Sequence, residues 1–250
     1  MAAPSGPAPG PLRVIGGGSN GGCIVGAVSL PADGPGFQTI HQSHSAFWGA
    51  PSVVAHLQEF ARQASAAGLP TLLLEDISNP RGGPMAGGHV SHQIGVDADV
   101  ALDMRPRPPL TKTERDTIVI QSMVRADGKD TDPAYWSPRV TALLKMAAGL
   151  PEVDRVLVNP AIKRHLCHEV TGDRSWLRLI RPWYGHAAHM HIHFRCPEGQ
   201  AQCVDMTPPP AGDGCDASLD WWFHRPPVKP GAVAPAKPPE LPAACRGILE

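Results

Sequence analysis

Three histidines occupy alternate positions in "HMHIHF", residues 189–194. A strand sends successive side chains to opposite sides. His189, His191 and His193 would then share one face, and Met190, Ile192 and Phe194 the other. The apolar face can pack, but the imidazole face needs polar partners, because buried unpaired polar groups are costly. Far upstream, "GGHVSHQIGVDADV" holds His89, His92, Asp97 and Asp99. Zinc takes imidazole nitrogens and carboxylate oxygens in a tetrahedral set. A loop histidine (His92), a strand aspartate (Asp99) and a histidine from a second strand (His191) supply three ligands. The fourth position is left for water, the pattern of a catalytic rather than a structural zinc. Asp97 faces the same side as Asp99 and is expected to orient a ligand histidine. A single His-x-His would be ordinary in a chain with 12 histidines; HxxHxxxxxxD combined with a strand HxHxH is far more specific. His168-Glu169 begins like HExxH, but Gly172 stands where the second histidine is required. His41 and His44 read as solvated loop residues.

Regular elements must hold these groups. "PSVVAHLQEFARQASAAG" reads as a helix, with Pro51 in its first turn, Val54, Leu57, Phe60, Ala61 and Ala64 in one stripe, and Gly68 closing it. "TLLLE" (71–75) is a short buried strand. In "VDADVALD", Val96, Ala98 and Val100 take one face and Asp97 and Asp99 the other. Thr111 and Glu114 form a capping-box pattern before "TIVIQSMV". Ser137-Pro138 opens a helix closed by Gly149. "VDRVLV" (153–158) is a strand, and Asn159-Pro160 caps the next helix. "DRSWLRLI" reads as a short helix leading to the histidine strand. Residues 1–12 are expected to be disordered. "GGGSNGGC" contains GxGxxG, but no proper strand precedes it and no helical pattern follows, so it reads as a glycine-rich loop. After Phe223 the chain becomes a proline-rich tail. The irregular mixture favours α+β over a doubly wound sheet.

The chain has 250 residues, 42% of them hydrophobic, and a formal net charge of -1. The lack of a basic excess argues against nucleic acid as the main partner. No apolar run is long enough to span a membrane. The six cysteines, Cys23, Cys167, Cys196, Cys203, Cys215 and Cys245, include no CxxC pair. Their spacing cannot choose among the possible disulfide pairings.

The stretches "GGGSNGGC", "GGHVSHQIGVDADV", "VNPAIKRHLC", "DRSWLRLIRPWYGHAAHMHIHFRCP" and "PPPAGDGCDASLDWWF" resemble the penicillin-insensitive murein endopeptidases, zinc peptidases of the bacterial periplasm. The resemblance spans residues 14 to 223 or so. It implies an α+β fold: a small antiparallel sheet carrying the zinc site, flanked by helices, with long loops and disulfides. Lysostaphin-like and D-Ala-D-Ala zinc peptidases share that plan. It implies a domain over 13–224, followed by a tail over 225–250 tied back by Cys245. His92, Asp99 and His191 match the family's zinc ligands, and His89 a further histidine close to or on the metal. His189 matches the general base, and His186 an active-site histidine able to stabilise developing charge. The disulfides it implies are Cys23–Cys245, Cys167–Cys215 and Cys196–Cys203. Closing the longest loop would contribute about 4–5 kcal/mol in the chain-entropy model.

The implied reaction is hydrolysis of D-alanyl–diaminopimelyl crosslinks in peptidoglycan, in the periplasm, by a chain whose signal peptide has been removed. Two alternatives are a zinc- and peptidoglycan-binding protein without turnover and a D-Ala-D-Ala carboxypeptidase. No Ser-x-x-Lys occurs, so penicillin has no serine of that motif to acylate. The chain departs from the family at "DGKD", where the family has "DGKH" for a second, weaker metal. One catalytic zinc is therefore expected, with Asp127 and Asp130 as weaker candidate ligands for a second ion. His193 stands where a relative has arginine; it is expected to contact substrate or solvent rather than metal. Arg181, Trp183, Tyr184, Trp221 and Trp222 are candidates for holding substrate.

Overall fold

Alternation in the central strands divides the molecule into an apolar layer and a polar face. The computed structural model describes residues 6–17, 21–85, 91–224 and 240–250. Among these, a seven-stranded sheet is built from β1 (Asp33–Gly34), β2 (Phe37–Thr39), β3 (Leu72–Leu74), β4 (Asp97–Ala101), β5 (Val153–Val158), β6 (Ile180–Pro182) and β7 (His189–Phe194). Its order is β6-β5-β7-β4-β3-β2-β1. The histidine strand β7 lies between β4 and β5 and is antiparallel to both. The pairs β6–β5 and β2–β3 are parallel. The fold is α+β, with an antiparallel centre carrying the histidines.

Met190, Ile192 and Phe194 from β7, Ala98 and Val100 from β4, and Val156 and Val158 from β5 are all buried in one core. Two amphipathic helices contribute to it. Helix α1 (Pro51–Ala66) buries Val54, Leu57, Phe60, Ala61 and Ala64. Each large side chain buried in this way is worth about 1.5–3 kcal/mol. Gly68, at φ 77°, takes the left-handed turn after α1. The capping box at Thr111 and Glu114 starts α2 (Lys112–Thr117), which ends before the apolar run that follows it. Helix α3 (Pro138–Ala148) buries Val140, Leu143 and Leu144 and packs on β5. In α4 (Pro160–Glu169), the Asn159 side chain accepts from the Ala161 amide. The stretch read as a helix at "DRSWLRLI" is a 3-10 turn, Ser175–Arg178, followed directly by β6.

Three expectations need correction. A strand does precede the glycine-rich segment: Arg13–Gly17 pairs antiparallel with Gly22–Val25, and Gly16, Gly17 and Gly22 belong to these strands. Residues 6–12 are seated rather than disordered. Ala8 is buried and its carbonyl accepts from Gly26, because the neighbouring strand supplies a backbone partner that composition alone does not reveal. His41 and His44 are not simply solvated. They flank and end a 3-10 turn, with Nδ1 3.7 Å from Glu75 and 3.2 Å from Asp76 respectively.

Disulfides join Cys23–Cys245, Cys167–Cys215 and Cys196–Cys203. The first docks the chain end, where Ile248 and Leu249 pack beside the buried Cys23 and Cys245. Arg81 also donates to the Ile248 carbonyl. The second joins α4 to the loop ahead of α5 (Ala217–His224). That loop is held again by Lys163, fully buried, whose Nζ donates to the Leu177 carbonyl at 2.8 Å and the Asp213 carbonyl at 2.5 Å. No helix among the described residues is long and apolar enough to cross a membrane.

Candidate metal centre

Strand register brings the site together. Asp99 on β4 stands opposite His191 on β7, which stands opposite Leu157 on β5, which pairs in turn with Arg181 on β6. The next row along the same face is Asp97, His193 and Arg155. His92 enters from the loop before β4, with φ 64° and its amide donating to Asp97 Oδ2 at 3.1 Å.

The hydrogen bonds fix where the lone pairs point. His92 Nδ1 lies 3.0 Å from the Ile77 carbonyl. A carbonyl only accepts, so Nδ1 carries the proton and Nε2 of the neutral ring presents a lone pair. His191 Nε2 lies 3.0 Å from Asp97 Oδ1, which fixes its proton there and leaves Nδ1 as an acceptor. These two acceptors, His92 Nε2 and His191 Nδ1, face one another at 3.1 Å. Asp99 Oδ1 is 3.0 Å from His191 Nδ1, and its Oδ2 is 3.3 Å from His92 Nε2. All three residues are buried. With both rings neutral, three acceptors converge on one point, a set that attracts positive charge. The protonation tendencies show a site that draws positive charge, taken from a proton when no ion is bound: burial disfavours an imidazolium at His191, yet Asp97 and Asp99 carry its pKa up to about 10. His92 is likewise raised, against its burial, by Asp99. Asp99 is held well below the usual carboxylate range by His92 and His191, again against burial. The donor set, two imidazole nitrogens and a carboxylate, fits a divalent ion such as zinc.

The remaining sequence candidates fall into place unevenly. His189 lies one strand step from His191, with Nε2 3.7 Å from Asp99 Oδ2 and its side chain 29% exposed. His186 follows Gly185 in the turn between β6 and β7, at φ 45°. Its ring centroid is 5.2 Å from that of His189 and 5.8 Å from that of His191. Its Nδ1 lies 3.0 Å from the Tyr184 carbonyl. Burial, with the nearby His191 and His189, pulls His186 down to about 4. Its neutral ring therefore offers an acceptor at Nε2. Asp97 Oδ1 accepts from His191 Nε2 at 3.0 Å. His89 lies outside the described residues. Asp127 and Asp130 sit on a tight turn, accepting from the Lys129 and Thr131 amides, and join neither metal-capable cluster found among the described residues.

Of the two contacts expected of His193, the one with bulk solvent is closed off, but the residue lines the cavity. It is buried, and its Nδ1 lies 2.7 Å from Asp97 Oδ1. The imidazole needed a partner, and the opposite residue on β4 supplies one. Asp97, His191 and His193 form the second metal-capable cluster.

A cavity of about 340 Å³ opens over these rows. It is lined by His186, His191, His193 and Asp97, by Arg155, Leu157 and Arg181 from the neighbouring strands, and by Trp183, Met206 and Trp222. Trp222 contacts the rings of Trp183, Tyr184 and Trp221. Sequence reasoning passed over Arg155, Leu157 and Met206. Alternation in "VDRVLV" puts Arg155 and Leu157 on one face, but only the strand order sets that face beside the histidines.

A family model described as penicillin-insensitive murein endopeptidase matches residues 14–250. A penicillin-insensitive murein endopeptidase from Klebsiella pneumoniae subsp. pneumoniae is 43% identical over 246 residues, covering 98% of this chain and 88% of that protein. One from Escherichia coli O1:K1 is 42% identical over the same coverage.

Proposed function

The chain belongs to the penicillin-insensitive murein endopeptidase family, and from that premise we propose that it is a zinc-dependent hydrolase of D-alanyl–diaminopimelyl crosslinks in peptidoglycan, working in the periplasm. One observation carries the metal assignment: His92 Nε2 and His191 Nδ1 lie 3.1 Å apart beside the Asp99 carboxylate, while the other nitrogen of each ring is held by a separate acceptor, the Ile77 carbonyl or Asp97. Three disulfides support an oxidising compartment.

His92, Asp99 and His191 would hold the ion; His89 is a further candidate beside them. When bound, zinc supplies Lewis acidity, polarising a carbonyl and acidifying water. The chain's own groups do the rest. His189 accepts the proton of the attacking water and returns it to the leaving amine. Its position on a strand, about 7 Å from the His191 Cα, leaves room for that water and fixes the ring against the sheet. His186 enters as an acceptor and becomes a donor to the developing oxyanion only once a proton reaches Nε2. Asp97, at His191 Nε2, would keep that ring in the tautomer whose Nδ1 is available to hold the ion. Trp183 and Trp222 line the same cavity as an aromatic surface against which substrate can pack.

The test is digestion of purified crosslinked peptidoglycan with the untreated protein, with a chelator, and with zinc restored after chelation. Crosslinked dimers should become monomers without release of free alanine, and the activity should disappear and return with the metal. Release of free alanine with crosslinks intact would instead identify a carboxypeptidase. Activity that survives chelation would end the metal assignment.

A further inference from the structure

Two arginines line the cavity, and their surroundings differ. Arg155 is already paired: its Nε lies 2.6 Å from Asp154 Oδ2, and its Nη2 donates to the Thr207 carbonyl at 2.6 Å. Arg178, nearby in sequence, donates to the Pro209 and Pro210 carbonyls. The Arg181 side chain has no hydrogen bond or ion pair among the described residues, although it is half-buried and lines the cavity. Asp216 is within electrostatic reach but forms no ion pair with it. Burial and the charge of Arg155 both disfavour the Arg181 cation. A guanidinium cannot shed its proton at ordinary pH, so the cavity holds a half-buried positive charge with no side-chain anion bonded to it among the described residues.

The sheet fixes where that anion would lie. Arg181 is two strands from His191 in the same row, about 10 Å away at the backbone, with Leu157 between them. Its side chain is set against Gly214: a Cβ there would come within 2.8 Å of Nη1. The guanidinium thus shares one cavity with the metal-facing histidines.

We propose that Arg181 is a specificity-determining residue that binds a free carboxylate on the carbon bearing the leaving amine. This rests on the endopeptidase reading above. In a diaminopimelyl crosslink the amine released sits on a carbon that also carries a carboxylate. In a lysyl crosslink that carbon is a plain methylene. Arginine and carboxylate match as a two-pronged, charge-assisted pair, and the carboxylate lies only two bonds from the scissile nitrogen. One anchor therefore both selects the substrate and sets the scissile bond against the metal site. Arg155, tied to Asp154, shapes the cavity and adds positive potential without being the contact.

The experiment uses the zinc-loaded protein and three muropeptide dimers: a diaminopimelyl crosslink with the free carboxylate, the same dimer amidated at that carboxylate, and a lysyl crosslink. The wild type should favour the free carboxylate in kcat/KM by about 10- to 100-fold over both others. In Arg181→Gln that preference should collapse to near unity, and Arg181→Lys should keep part of it. Equal wild-type rates on the three dimers would overturn the assignment while leaving the endopeptidase reading intact. So would an Arg181→Gln variant whose losses are the same on all three. Cleavage of none of the dimers would sink both. The wild-type comparison stands alone if Arg181→Gln fails to fold.

Discussion

Asp97 Oδ1 accepts from two rings at once, His191 Nε2 at 3.0 Å and His193 Nδ1 at 2.7 Å. That single oxygen sets the tautomer of one proposed metal ligand and anchors the histidine beside it. Asp97→Asn should therefore weaken zinc binding by about 10- to 100-fold, measured by competition with a chromophoric chelator. Unchanged affinity would mean that His191 holds its orientation without Asp97.

Separating base from ligand requires two variants. His189→Ala should retain one zinc per chain and lose about 10²- to 10⁴-fold in kcat. His191→Ala should lose the metal as well as the activity. Metal analysis alongside muropeptide chromatography distinguishes them. If His189→Ala remained fully active, the proton would have to travel through another group, with His186 the neighbour to test next.

Removing the metal should cost stability as well as rate, because the ion relieves the repulsion among three buried acceptors. A ligand present at a hundred times its dissociation constant stabilises the fold by about 2.7 kcal/mol. The thermal midpoint should fall on chelation and rise again when zinc is restored. A midpoint indifferent to chelator would argue that His92 and His191 are bridged by a proton instead.

Asp103 should show an acid-sensitive contribution to stability. Burial alone would raise its pKa, but Arg105 and Arg107 outweigh it and hold the carboxyl at about 2. Arg105 supplies Nε at 2.9 Å and Nη2 at 2.7 Å, and Arg107 adds Nη2 at 2.9 Å. The folded pKa is below the unfolded value, so the stabilisation is complete above the ordinary carboxylate range, about 3.9. It is lost as pH falls through about 2. Carboxyl carbon shifts in NMR read the pKa directly. Asp103→Asn should flatten the difference in thermal midpoint between pH 5 and pH 2; an identical pH response in that variant would refute the linkage.

The Cys23–Cys245 bridge closes a sequence separation of 222 residues. Replacing both cysteines by serine should cost about 5 kcal/mol in the chain-entropy model. For a chain of this size, that corresponds to a fall in thermal midpoint of about 10–20 °C. A change of only a degree or two would show that packing of Ile248 and Leu249 holds the chain end without the covalent link.

Much of this molecule was legible as local pattern. The spacing of Val54, Leu57 and Ala61 sufficed for α1, because a helical face is set by residues a few positions apart. Thr111 with Glu114, and Asn159 with Pro160, marked helix starts by chemistry confined to one turn. Alternation in "HMHIHF" and "VDADVALD" placed imidazoles and carboxylates on strand faces. Resemblance to a known family supplied the disulfide pairing, which spacing could not. The seating of residues 6–12 escaped notice because the partner of Ala8 is a strand that begins many residues later. The burial of His193 was missed because its fate depends on which residue stands opposite it.

What the sequence determined, then, was the inventory and the facing: which side chains could bind an ion, and which of them would point the same way along one strand. Only the tertiary structure decided their neighbours. Placing β7 between β4 and β5 is a long-range choice of order and register, and a slip of one residue would turn every side chain of β7 to the other face. That pairing sets Asp99 against His191, Asp97 against His193, and Arg181, whose side chain has no partner among the described residues, at the end of the Asp99–His191 row. No periodicity within a strand encodes it, because it is fixed by burial of the opposite, apolar face against α1 and α3.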